Sequence, residues 1–279
     1  MTAKIKLLVA IDMLFLLLLA ISGATAGIIS EIFYYLAFLA PVGIAINYIC
    51  TSDKTSHEPI SETKYTLPKD LKRDFSLSKE NLLFALPVFV PAIITIFSLS
   101  VLTSLFMGIF GLVSTAEFDE PFITAIITHA LVPAFLEELL FRFVPIKLLS
   151  DNKKSAFLVS SVLFAFAHAN LFQIPYAFLA GAVFSGLYMM TGSILPCVLL
   201  HFFNNLLSLL SIYGYLKIWT YPIIFVLLCI SVAVIAKRKE SYKQKLNEML
   251  PKETKIELSY HPLIFIAISL ILAISALFA

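Results

Sequence analysis

The sequence contains few charged residues. Only 14% of its 279 residues are Asp, Glu, Lys or Arg, whereas about 25% of a soluble domain is charged. Hydrophobic residues make up 60% of the chain, and a soluble protein of this composition could not cover its surface with polar groups. The same composition excludes an intrinsically disordered chain. The shortage of charge therefore indicates a membrane protein.

Cysteine is also scarce. Cys50, Cys197 and Cys229 are far apart and lie in apolar sequence. An odd number of cysteines at these spacings indicates neither a disulfide framework nor a metal-binding knuckle, and we interpret them as buried apolar residues. The sequence has no repeat of the length used by solenoid proteins, and no low-complexity tract or soluble domain is evident.

Long apolar segments account for most of the chain. Runs of about 20 apolar residues are typical of membrane helices, and the segments lack the period-two alternation of a transmembrane barrel. The sequence predicts an all-α, polytopic transmembrane bundle of eight to nine membrane helices, with the active site inside it. Residues 1–279 would form a single integral membrane domain. The nine predicted segments are 5–22, 29–50, 82–112, 121–146, 155–169, 174–191, 195–213, 218–236 and 262–278.

The basic residues predict how these segments are oriented. All but two of the 20 Lys and Arg residues lie before segment one, in the loops 51–81 and 237–260, or just after segment four. These places share one side if the segments alternate, and an excess of Lys and Arg marks the cytoplasmic side. We expect a multi-pass protein of a prokaryotic cell membrane with a cytoplasmic N-terminus. Its basic loops would contact anionic lipid and not nucleic acid.

Segment four carries two adjacent glutamates and an arginine within apolar sequence, Glu137-Glu138-Leu139-Leu140-Phe141-Arg142. Ionisable groups in a bilayer cost about 2.5–3.5 kcal/mol each on insertion scales, so such a cluster points to function. Neighbouring helical residues point about 100° apart, so the two carboxylates have different surroundings. Glu138 is four residues before Arg142 and can pair with it. Glu137 has no local cation, which leaves it free for chemistry, although an interfacial charge cluster is the simpler alternative.

Two later segments carry further polar residues. Near its end, segment five carries Phe164 and, four residues later, His168. In segment seven, His201 and Asn205 are also four residues apart and share one face of the helix. Taken singly, these residues are typical of a packed histidine and of a polar pair that joins membrane helices. Together with segment four they supply a carboxylate, two imidazoles and an amide. Peptide hydrolysis needs such groups, because a base must deprotonate water and donors must stabilise the oxyanion.

The ordered set of motifs resembles the signature of the CAAX prenyl endopeptidases, or type II CAAX proteases. This is the CPBP (Abi) family of intramembrane glutamate endopeptidases. The resemblance covers residues 133–205, within the catalytic core helices that we expect over 121–213, and the ninth segment departs from the family's usual eight-helix core. The three motifs are Glu137-Glu138-x-x-x-Arg142, Phe164-x-x-x-His168 and His201-x-x-x-Asn205.

The resemblance implies a role for each matching residue. Glu137 and His168 would activate water, and His201 and Asn205 would form the oxyanion hole. The resemblance implies a site without a cofactor. A zinc site at Glu137, His168 and His201 is the alternative, because two histidines and a carboxylate are a known zinc ligand set.

These inferences predict an intramembrane endopeptidase. It would cut near the C-terminus of a membrane-associated or lipidated peptide, such as a prenylated CAAX peptide, that arrives from the cytoplasm or the bilayer. Glu138 and Arg142 would give structural support to the first motif. Two alternatives remain: a non-catalytic scaffold for peptide binding or bacteriocin immunity, and a proton-coupled transporter, for which the sequence shows no inverted repeat.

One placement disagrees with a shared site. With the predicted boundaries, His168 lies near the outer end of segment five, whereas Glu137 and His201 lie closer to the cytoplasm. The three side chains can meet only if the helix of segment five starts later or is tilted, or if segments five and six form a shallower hairpin, so we expect an error in the boundaries.

Overall fold

A computed structural model describes residues 3–52, 69–109, 120–217, 220–251 and 261–275. These ranges are helical and contain no strand, so the all-α prediction is confirmed for them. In chain order the helices are α1 (Ala3–Gly23), α2 (Gly27–Ser52), α3 (Lys69–Asp74), α4 (Lys79–Ile109), α5 (Phe122–Leu148), α6 (Lys153–Ala167), α7 (Ile174–Thr191), α8 (Leu195–Ile212), α9 (Thr220–Lys237), α10 (Lys239–Met249) and α11 (His261–Ser275).

Within the described ranges, six helices are long and apolar enough to cross a membrane: α1, α2, α4, α5, α7 and α8. The chain is thus an integral membrane protein, but these spans are fewer than the eight to nine predicted. The predicted fifth segment forms α6, whose 15 residues reach only about 22 Å across a hydrocarbon core of about 30 Å. Segments eight and nine contain the shorter apolar helices Pro222–Lys237 and Pro262–Ala273.

Helix α5 lies at the centre of the bundle, in contact with α1, α2, α6, α7 and α8. Beside it, α6 and α7 approach each other backbone to backbone. A Cβ atom at Gly181 would lie only 2.9 Å from the Ser161 carbonyl oxygen, so no other residue fits there without a shift of the helices. Small residues at such crossings allow membrane helices to pack closely.

Helix α5 is not a regular α-helix. Two π-helical turns, Ile126–Leu131 and Leu139–Phe143, enclose the α-helical stretch Val132–Glu138. π-Helical turns widen the helix and often occur at functional sites. The two glutamates of the first motif therefore lie between two irregular turns, which single-sequence spacing does not reveal.

Proline explains part of this irregularity. Pro145 has no N–H group, so the Phe141 carbonyl four residues earlier has no α-helical donor. Ser160 of α6 donates to that carbonyl at 2.5 Å, and its hydroxyl also lies 2.8 Å from the Ser185 hydroxyl of α7. These contacts join three helices beside the first motif.

The basic end of the bundle, where α5 ends and α6 begins, carries two additional helices. Asp74 at the end of α3 pairs with Lys147 at 2.5 Å and accepts a hydrogen bond from the Tyr188 hydroxyl at 3.0 Å. α10 lies against α7 with Met249 buried, and its Tyr242 hydroxyl donates to a carbonyl of α4. Part of the predicted loop 237–260 is therefore helical. Residues 252–260, and residues 53–68 of the loop 51–81, lie outside the described ranges.

Candidate active site

Glu138 occupies the most buried position of the first motif. Its side chain is fully buried in α5. One carboxylate oxygen, Oε1, lies 2.8 Å from Nδ1 of His201, and the other, Oε2, lies 3.2 Å from Nε of Arg142. The pairing with Arg142 that the helical spacing predicts is thus present. The contact with His201 was not predicted, and it joins α5 directly to α8.

Arg142 is buried among aromatic rings. Its guanidinium carbon lies 3.8 Å from the ring centre of Phe164 and 5.1 Å from that of Phe184. The contact with Glu138 is close enough for an ion pair but is not aligned as a hydrogen bond. The guanidinium nitrogens have no hydrogen-bond partner among the described residues. The charge is therefore balanced by one carboxylate and by ring faces, which attract cations.

Glu137 has different surroundings, although it is the next residue. Its side chain is 16% exposed, and its Oε2 lies 3.9 Å from Nε2 of His201, beyond hydrogen-bonding distance. His201 therefore lies between the two glutamates. Its Nδ1 faces the buried carboxylate and its Nε2 faces the partly exposed one.

The two histidines are held by the ring of Phe164. The ring centre of His168 lies 4.9 Å from that of Phe164, and the ring centre of His201 lies 5.6 Å from it, both edge to face. Nδ1 of His168 lies 2.9 Å from the Phe164 carbonyl oxygen. When Nδ1 donates to this carbonyl, Nε2 of the neutral ring is left as the basic nitrogen.

A cavity of about 190 Å³ brings most of the predicted site residues together. His168, His201 and Asn205 all line it, with side chains of α4 and α7 on the opposite wall. Glu137 is not part of the lining and adjoins the cavity through His201. The other lining residues are Ile96, Phe97, Ser100, Phe164, Gln173, Tyr176, Ala177, Ala180, Phe184, Asn204 and Ser208.

Residues 119–207 match the family model of the type II CAAX prenyl endopeptidase Rce1-like proteins. The resemblance inferred from the three motifs is therefore confirmed. The match covers less than half of the chain but contains all three motifs. No curated protein matches the chain, and no solved structure matches it. Since the Rce1-like family is a protease family, the match supports endopeptidase activity on a membrane-associated peptide.

Within residues 119–207, the helix of segment five does not start later than predicted, so that expectation is wrong. Helix α6 begins and ends two residues earlier than predicted, and His168 is the first residue after it. The side chain of His168 is exposed, whereas that of His201 is buried. Both nevertheless line the same cavity.

The zinc alternative requires Glu137, His168 and His201 to converge as ligands. In the part of the chain that the structure describes, no three His, Cys, Asp or Glu side chains are grouped closely enough to hold a metal ion. Among the described residues, Glu137, His168 and His201 do not form such a group.

Sequence reasoning missed two residues of the candidate site. Phe184 stacks on His201 with ring centres 5.0 Å apart, but a phenylalanine in a membrane helix carries no signal of such a role. Asn204 lines the cavity as well, and its amide nitrogen lies 3.5 Å from the Asn205 side-chain oxygen. The polarity of two adjacent asparagines was the available signal.

Proposed function

We propose that this protein is an intramembrane endopeptidase that uses a water molecule activated by Glu137 and His168. The observation that carries this proposal is the contrast between the two adjacent glutamates. Glu138 is buried and paired, whereas Glu137 is partly exposed and makes no hydrogen bond among the described residues. A carboxylate in the surroundings of Glu137 can accept a proton from water, which is the first requirement of hydrolysis.

In the proposed reaction, Glu137 takes a proton from water as the oxygen attacks the peptide carbonyl carbon. The developing oxyanion is stabilised by hydrogen-bond donors from His201 and Asn205. The proton then moves to the amine of the leaving peptide as the carbon–nitrogen bond breaks. His168, with its basic Nε2, assists proton transfer on the cavity side.

The contact with Glu138 sets a condition on His201. Since Nδ1–H donates to the Glu138 carboxylate, Nε2 can donate to an oxyanion only when the imidazole carries both protons. Glu138 thereby fixes the orientation of the ring and supports its charged form during the reaction, as a carboxylate does for a catalytic histidine. In this proposal Glu138 is a positioning residue, and Arg142 holds it in place.

The cavity also bears on substrate access. Its lining includes Gln173 before α7 and Ser208 near the end of α8, at the end of the bundle away from Lys147 and Lys153. With the N-terminus and the basic end in the cytoplasm, as we propose, a peptide reaches the cavity from the bilayer or from the opposite side. A lipidated peptide held in the membrane satisfies this condition, so we propose a prenylated CAAX peptide as the first substrate to test.

The proposal is tested with purified protein in detergent and a quenched, farnesylated CAAX peptide. Wild type should cleave the peptide, and Glu137→Gln should not. Glu31→Gln, an exposed glutamate of α2, is the matched control and should cleave normally. Cleavage that continues in a strong chelator supports the metal-free site, whereas its loss restores the zinc alternative. Full activity of Glu137→Gln would overturn the proposal.

A further inference from the structure

A second cavity lies at the basic end of the bundle, separate from the candidate active site. Its volume is about 230 Å³, and we call it the basic pocket. Four elements, α3, the end of α5, α6 and α10, each contribute a cationic side chain. The lining residues with charge are Arg73, Asp74, Lys147, Lys153, Lys245 and Glu248.

Among the described residues, one of the four cations forms an ion pair. Lys147 pairs with Asp74 at 2.5 Å. Lys153 and Lys245 each donate to a backbone carbonyl, of Glu248 and Met190, which balances no charge. Across the described residues neither lysine forms an ion pair.

The arginine of the basic pocket has unused hydrogen-bond donors. Among the described residues, the Arg73 guanidinium has neither a hydrogen bond nor an ion pair. It lies over the turn at Gly192, where a Cβ atom would be 3.6 Å from Nε and would therefore touch it. Gly192 has a φ of +67°, which favours glycine, so the backbone of this turn and not the guanidinium accounts for the residue.

The pocket has fewer carboxylates than cations, so a net positive charge remains. Asp74 is paired with Lys147. The Glu248 carboxylate accepts a hydrogen bond from Gln244 at 2.9 Å and forms no ion pair in the described residues. Lys153 and Lys245 each use one of three ammonium donors in a hydrogen bond, and Lys245 also lies 4.5 Å from the ring centre of Phe84. The basic pocket therefore presents a guanidinium fork and two ammonium groups, which together suit a tetrahedral oxyanion.

We propose that the basic pocket binds a phosphate group. Its volume exceeds that of several water molecules, at roughly 30 Å³ each, and thus admits such a group. The general preference for Lys and Arg on the cytoplasmic side explains why this end is basic. It does not explain why these side chains converge on one cavity, since Lys6 and Lys239 at the same end are exposed and do not line it. A phospholipid headgroup and a soluble phosphate share the chemistry that the pocket recognises.

The test measures binding to the full-length protein in detergent by titration calorimetry. The probes are inorganic phosphate and short-chain phosphatidylglycerol, with short-chain phosphatidylcholine added to detect general lipid binding. We expect saturable binding of a phosphate probe to wild type, weakened roughly tenfold or more in Arg73→Gln and in Lys245→Gln, because each loses a charge-assisted contact. Lys239→Gln, which removes the same charge from the same helix as Lys245, should bind like wild type.

The probes separate the two sources of the phosphate group. Saturation by inorganic phosphate alone assigns a soluble ligand, and saturation by phosphatidylglycerol alone assigns a lipid headgroup. Equal weakening of binding by Lys239→Gln and Arg73→Gln would overturn the proposal, because the probes would then respond to the general positive charge of the surface and not to the pocket. The absence of saturable binding to wild type would also overturn it. The inactive variant Glu137→Gln should bind the probes normally, so this result is independent of protease activity. Unfolding temperatures of all variants confirm that a loss of binding is not a loss of fold.

Discussion

The two faces of α5 at the first motif differ more than their sequence suggests. The buried face, with Glu138 and Arg142, is excluded from solvent and surrounded by Phe164 and Phe184. The open face, with Glu137, retains some exposure, and the Glu137 Oε2 atom lies 3.9 Å from Nε2 of His201. Identical side chains at adjacent positions thus acquire different properties, because Glu138 is in close contact with both Arg142 and His201 and Glu137 is not. The surroundings of each glutamate, and not its residue type, therefore suit Glu138 to a structural role and Glu137 to the proposed catalytic role.

The comparison also has an energetic side. A buried ion pair adds little net stability, because desolvation offsets the attraction, but removal of one partner leaves an uncompensated buried charge. Glu137 is not paired in this way. Changes on the buried face should therefore reduce stability, and changes on the open face should reduce activity alone.

The largest expected effect is on the open face. Glu137→Gln keeps the size of the side chain but removes the base, and we expect the cleavage rate to fall about a thousandfold. The unfolding temperature should stay within about 2 °C of wild type, since no paired charge is lost. Initial rates on a quenched peptide and thermal unfolding of the same preparation measure both. A large loss of stability in this variant would remove the distinction between the two faces.

The next effect is on the buried face. Glu138→Leu leaves Arg142 buried with no carboxylate and should cost about 3–5 kcal/mol of unfolding free energy. The double variant Glu138→Leu, Arg142→Leu removes both charges and should recover part of that loss. Denaturant unfolding in mixed micelles provides the comparison. If the single and double variants were equally unstable, the ion pair would not be the source of the cost.

A third prediction concerns the helix pair that places Phe164 and His168 beside the buried face. Gly181→Ala would push α6 and α7 apart and should cost about 1–3 kcal/mol, the usual range for an overpacked contact. At Gly186 the nearest atoms would be 3.9 Å from a new Cβ, an ordinary contact, so Gly186→Ala is the matched control. Equal stability of the two variants in thermal unfolding would contradict the close approach.

The smallest expected effect lies between the faces. Phe184→Leu removes a ring that stacks on His201 and also lies near the Arg142 charge. We expect each kind of ring contact to account for at most about 1 kcal/mol of unfolding free energy, and we expect a modest fall in cleavage rate. Phe203→Leu, an exposed ring on α8, is the control. An activity equal to that of this control would show that the ring does not orient His201.

Sequence reasoning found the three motifs and their helices because membrane segments and helical spacing are local properties. The Glu138–Arg142 pair follows from positions four residues apart. The contact of Glu138 with His201 depends on how α5 and α8 pack, which no local pattern specifies. Segment five was counted as a membrane helix although its predicted range, 155–169, is only as long as the 15 residues of α6.

Two further features, the π-helical turns of α5 and the helix α10, are marked in the sequence by residues that the prediction did not use. Pro133 and Pro145 follow the two π-helical turns of α5, and missing N–H groups disturb a helix at the preceding turn. The charged stretch Lys239–Met249 was assigned to a loop for its polarity, but as α10 it buries Met249 against the bundle. Its helical form depends on that contact and on the hydrogen bond from Tyr242 to α4.

The central claim is that Glu137 performs chemistry at a site whose structure does not depend on it. The most direct measurement follows the binding and the cleavage of one farnesylated CAAX peptide by Glu137→Gln, with Glu31→Gln beside it. The account predicts that Glu137→Gln binds the peptide with an unchanged Kd and does not cleave it. Cleavage at the control rate, or loss of binding together with cleavage, would contradict the account.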